Sequence, residues 1–166
     1  MTDPTEIHRT SLRTALDRAD RRVFFSVIIL ALGLLAGLAS SGPSGISLPA
    51  GFRVASPEVL FWGILFLHLG NGIRYCFYLK RASNIASCLP SEIRKDVLSH
   101  PSPATSHLGN AAGHMLLLTV LSFPIARDAL LAPGFFQFGV ALLLSSPFLI
   151  GPMRVRKDLQ FVKPGT

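Results

Sequence analysis

Apolar residues along the chain gather into four long runs rather than alternating with polar ones. The most uniform is Val23 to Ser40 (VFFSVIILALGLLAGLAS); the others extend from about Val59 to Leu79, Leu108 to Ala126 and Phe135 to Met153. A segment that crosses a hydrocarbon core of roughly 30 Å needs about 20 predominantly apolar residues. A backbone with no water to bond must satisfy its own N–H and C=O groups, so the runs are predicted to be helices. The expected fold is an all-α integral membrane protein with four transmembrane helices over 23–153. A charged segment (1–22) precedes them, and a basic tail (154–166) follows. Residues 41–57 are rich in Gly, Pro and Ser and read as a loop. The polar stretch 80–107 leaves room for a short surface helix over Ser91–Leu98. Pro124 and Pro147 fall inside the third and fourth runs, where a kink and plain packing are both open.

Composition narrows the class further. Of 166 residues, 49% are hydrophobic and only 15% charged, against roughly 25% charged in an ordinary soluble domain. That excludes a soluble enzyme and a disordered chain. A net charge of +7 would point to nucleic acid in a soluble protein. Here the basic residues sit between apolar runs, so the expected partner is the lipid bilayer and not nucleic acid. Thirteen of the 16 Lys and Arg lie before Val23, within 80–107 or after Met153, against Arg53 and Arg127 in the other two connections. This bias predicts both termini on the inner (matrix or cytoplasmic) side. No apolar stretch precedes Val23, which argues against a cleaved signal. Asp3, Glu6, Asp17 and Asp20 argue against a transit peptide. Cys76 and Cys88 lack the spacing of a metal cage, and one lies in an apolar run, the other in a polar stretch, so no disulfide is expected.

Ionisable residues within a span cost about 2.5–3.5 kcal/mol on insertion scales and need a reason. His68 lies mid-way along the second run, His114 in the first third of the third, and Arg74 six residues after His68. A neutral imidazole at that depth suits haem iron, with an arginine nearer the surface for a propionate. It equally suits a hydrogen bond between helices, with Gly70 and Gly72 allowing close packing and Arg74 reaching the interface. On spacing alone the packing role is the commoner one. Ser145 and Ser146 are expected to bond back to the preceding turn, Trp62 and Tyr75/Tyr78 to anchor opposite interfaces, and Arg127–Asp128 to form an interfacial pair.

The stretch His68-Leu-Gly-Asn71-Gly72-Ile73-Arg74-Tyr75 resembles the haem-helix motif of the large cytochrome b subunit, a membrane anchor, of succinate dehydrogenase (respiratory complex II). The likeness covers about eight residues. It implies haem b ligation by His68, with Gly72 and Tyr75 beside it, and a propionate and ubiquinone role for Arg74. Tyr75 stands where the family has a second histidine, Leu79 where it has an acidic residue, and the family has three spans, not four. A shorter likeness, Thr5-Glu-Ile-His8-Arg9, matches an element whose counterparts of Thr5 and Arg9 line the quinone site, although a solvated charged helix over 5–22 reads as well. The family draws its second haem ligand from a second membrane-anchor subunit; His114 is the reserve within this chain, some four to five residues off in depth. The expected setting is an electron-transfer complex in the mitochondrial inner membrane or a bacterial plasma membrane. Iron–sulfur and flavoprotein subunits would dock on the inner face, and ubiquinone would be the substrate. The alternative is a cofactor-free structural or accessory subunit of a respiratory membrane complex. A transporter is disfavoured because no span carries a carboxylate. In either setting another membrane subunit is expected to cover the His68–Gly72 face.

Overall fold

The computed structural model describes residues 4–39, 46–47, 53–54, 57–99, 108–130 and 133–161. Six helices account for nearly all of them: α1 (Pro4–Ala39), α2 (Pro57–Ser87), α3 (Ser91–Ser99), α4 (Leu108–Ala129), α5 (Gly134–Ser145) and α6 (Pro147–Phe161). A two-residue antiparallel pair, β1 (Ile46–Ser47) and β2 (Arg53–Val54), joins Ile46 to Val54. The rest of residues 41–56, and residues 100–107, lie outside the described residues, whereas Pro57, the end of the expected loop, already opens α2.

Four stretches are long and apolar enough to cross a membrane: Pro4–Leu38, Glu58–Ser87, Gly109–Ala129 and Gly134–Val155. The protein is an all-α, multi-pass membrane protein. Large apolar side chains such as Phe24, Leu35, Phe66, Ile73, Val120 and Leu143 are exposed along all four spans, whereas Ser26, His68, Asn71, Thr119, Ser122, Gln137 and Ser145 are buried. Polar groups turn inward because lipid offers them no hydrogen bonds. α2 is the centre of the bundle, touching α1, α4, α5 and α6.

Two elements differ from the sequence expectation. The charged segment is no separate solvated helix. α1 runs unbroken for 36 residues, about 54 Å at 1.5 Å per residue, which exceeds the hydrocarbon core. Its buried positions Leu12, Leu16, Ala19, Val23, Ser26, Leu30 and Gly33 recur at alternating spacings of four and three, the seam of a coiled coil. That seam passes through Arg21 and Arg22 without a change of phase, so one apolar stripe holds the whole helix against its neighbours. α3 is tied to α1 by Arg9, which donates to the Asp96 carboxylate, with Arg13 3.9 Å from the same group. Both pairs are half-exposed, so each contributes at most about 1 kcal/mol.

The fourth span is two helices. Pro147 has no N–H to give to the Leu143 carbonyl one turn back, and it ends α5. The Ser146 N–H (3.2 Å) and hydroxyl (2.7 Å) donate to that carbonyl instead. The Ser146 carbonyl then accepts from Leu149 and Ile150, both at 3.0 Å, and starts α6. Pro124, by contrast, sits inside an unbroken α4. The C-terminal end of α4 is closed by buried Gln137 from α5, whose Nε2 donates to the carbonyls of Leu130 (2.9 Å) and Arg127 (3.4 Å).

Candidate functional site

His68 is fully buried on α2 and faces α5 and α6 of its own chain. Its Nε2 is 3.3 Å from the Ser145 hydroxyl. Its ring stacks on Phe148, with centroids 5.6 Å apart and an interplanar angle of 14°. Phe148 also stacks on Tyr75 at 5.0 Å, and both are almost wholly buried. A Cβ on Gly72 would meet Pro147 and Phe148 at 3.2 Å, so the start of α6 fills the space that this glycine leaves. The Cys76 thiol donates to the Pro147 carbonyl at 3.4 Å. The face formed by His68, Gly72, Tyr75 and Cys76 is therefore closed by α6. The break at Ser146–Pro147 lets this chain cover by itself the face for which another subunit was the expected cover. Ser145 joins His68, while Ser146 makes the expected backward bond. Tyr75 is core rather than an interfacial anchor, whereas Trp62 is exposed and Tyr78 lies beside Arg22. Arg127 and Asp128 do pair, at 3.0 Å.

Arg74 lies on another side of the same helix. Six residues from His68, it is turned by about 240° at 100° per residue, exposed, and lines a groove between α1 and α2. Asn71, one turn earlier, is buried and bonded to α1. Its amide donates to the Arg22 carbonyl and to Ser26 Oγ (2.8 Å), and its Oδ1 accepts from Arg22 Nη1 (3.5 Å). Arg22 lies 5.8 Å from the Phe25 centroid and 5.7 Å from that of Tyr78, within cation–π range.

The residues expected to share a cofactor are thus dispersed. Arg9 is thirteen residues from Arg22 on one straight helix, about 20 Å, and pairs with Asp96. Thr5 is farther still, so neither joins Arg74. His114 is half-buried near the start of α4. A haem ligand must present one imidazole edge to a slot as wide as the macrocycle. In this arrangement Ser145 and Phe148 occupy that surround, and the residues do not fit the group. Among the described residues no cluster of three or more His, Cys, Asp or Glu forms, and both cysteines are free.

Ser145, Phe148 and Arg22 escaped sequence reasoning. The signal for Phe148 was Pro147, whose break turns the following residue towards α2; Arg22 lies beside the seam position Val23 and meets Asn71 of α2, a contact that no local pattern marks. No family model matches the chain, and no curated protein or solved structure matches it.

Proposed function

We propose that this chain is a cofactor-free structural subunit of a membrane complex, with its basic end turned to the inner side and offered to a soluble partner. The observation that carries this reading is the His68 face, closed by Ser145 and Phe148 of the same chain. Support comes also from the basic end, where α1 and α2 continue past the apolar core and α3 packs against α1. These three helices together offer a surface on which partners can dock without entering the bilayer.

A second reading, the haem b anchor of a succinate:ubiquinone oxidoreductase with a second anchor subunit and iron–sulfur and flavoprotein partners, is favoured by two observations. His68 Nδ1 is buried with no hydrogen-bond partner, and His68, Asn71, Gly72 and Arg74 stand in the order of the haem-helix motif. In that reading α6 must move away from α2 before His68 has a free edge, and haem would supply one-electron transfer.

Purification of the full chain from a haem-replete host tests the two. The structural reading expects no Soret band and co-purifying membrane or soluble chains. A low-spin b-type spectrum that His68→Ala abolishes would overturn it in favour of the anchor.

A further inference from the structure

We propose that the groove between α1 and α2 is a binding site for an anionic phospholipid of the leaflet at the basic end, with its phosphate held between Arg22 and Arg74. The groove has a volume of about 350 Å³, and its walls include Phe25, Ile29, Phe66 and Gly70 besides the two arginines and Asn71. Arg22 and Asn71 are bonded and so share a level; Arg74 lies one turn nearer the basic end. Ile29 on α1 is seven residues from Arg22, and Phe66 on α2 eight from Arg74. The apolar trench therefore runs about 10 Å from the arginines towards the bilayer centre. One end is cationic, the other apolar, and the length matches part of an acyl chain.

Charge complementarity identifies the occupant. Neither Arg22 nor Arg74 forms an ion pair among the described residues, and Arg22 Nε is buried without a hydrogen-bond partner. Two guanidinium groups with no carboxylate between them favour a phosphate over a neutral headgroup, and the guanidinium fork binds phosphate bidentately. Arg22 is held in place by Asn71, Phe25 and Tyr78, so little side-chain entropy is lost when it meets the phosphate. Gly70 completes the trench: a Cβ there would meet nothing within 4 Å. The missing side chain leaves room for a chain that comes from outside the protein.

The test uses the full chain in mild detergent, with thermal unfolding and native mass spectrometry, against phosphatidylglycerol, phosphatidylcholine and inorganic phosphate. Phosphatidylglycerol is expected to raise the melting temperature and to remain bound as a one-to-one adduct; the other two are expected to do neither. Arg74→Gln, at an exposed position, should weaken the adduct about fivefold, the worth of one basic residue near an anionic surface. Gly70→Leu fills the trench with both arginines intact and should abolish the adduct without lowering the melting temperature of the lipid-free protein. Equal binding of the two lipids, retention of phosphatidylglycerol by Gly70→Leu, an equal effect of free phosphate, or displacement of the lipid by a short-chain ubiquinone would each overturn the proposal.

Discussion

His68 and Gly72 lie one turn apart on α2, and both meet the first turn of α6. A buried imidazole bonded to a serine across helices contributes modestly, because intramembrane side-chain bonds average about 0.6 kcal/mol and reach about 1.7. Its stacking and bulk contribute more. His68→Ala is expected to destabilise the protein by about 2–4 kcal/mol, in the range of large-to-small core changes. Ser145→Ala should cost under about 2 kcal/mol. Thermal unfolding of both variants and their double mutant should show a coupling near 1 kcal/mol; additive losses would mean that the pair does not interact. The glycines offer a sharper contrast. Gly72→Val drives methyl groups into Pro147, whose ring cannot swing aside, and should cost about 1–3 kcal/mol. Gly70→Ala meets nothing and should leave the melting temperature unchanged or raise it.

At the scale of elements, the join between α5 and α6 decides what His68 touches. Ser146 supplies the two donors that the Leu143 carbonyl would otherwise lack, so the break leaves no orphaned acceptor and is a stable feature. Pro147→Ala restores an N–H to the helix ladder and removes the ring that collides with the preceding turn. The span should straighten and Phe148 should swing away from Tyr75. Spin labels at the exposed positions Phe138 and Met153 are expected to move apart in this variant. An unchanged distance distribution would mean that packing against α2, rather than proline, sets the bend.

The whole molecule is arranged by its solvent. Large apolar side chains face outward along four spans, polar ones such as Ser26, His68, Asn71, Thr119 and Ser145 are buried, and 13 of 16 Lys and Arg fall before Val23, within 80–107 or after Met153, segments that the expected topology gathers at one end. The expected orientation puts that end inside. Single cysteines introduced in a background lacking Cys76 and Cys88 should be labelled from outside sealed inner-side-in vesicles at positions 41–57, and only after permeabilisation at 80–107. The reverse pattern would invert the topology. The platform at the basic end should not depend on its ion pairs: Asp96→Ala removes half-exposed contacts and should cost about 1 kcal/mol or less.

The four spans, the surface helix at Ser91 and the gathering of basic charge at one end were determined by the sequence alone. Each follows from a rule that acts locally: about 20 apolar residues cross a bilayer, and lipid forbids an unbonded backbone. The continuity of α1 was also legible, in the spacing of Leu12, Leu16, Ala19, Val23, Ser26 and Leu30, but Arg21 and Arg22 drew the reading towards a boundary. Which residues share a site was not legible. His68, Gly72 and Arg74 stand together in sequence, yet a helix turns about 100° per residue. Two of them therefore face α6, while the third opens onto a groove with α1. Only the tertiary structure decided that α5 breaks at Ser146 and that Phe148 and Ser145 close over His68. That outcome depends on how a helix 77 residues downstream of His68 packs back, and no local pattern encodes such a long-range contact.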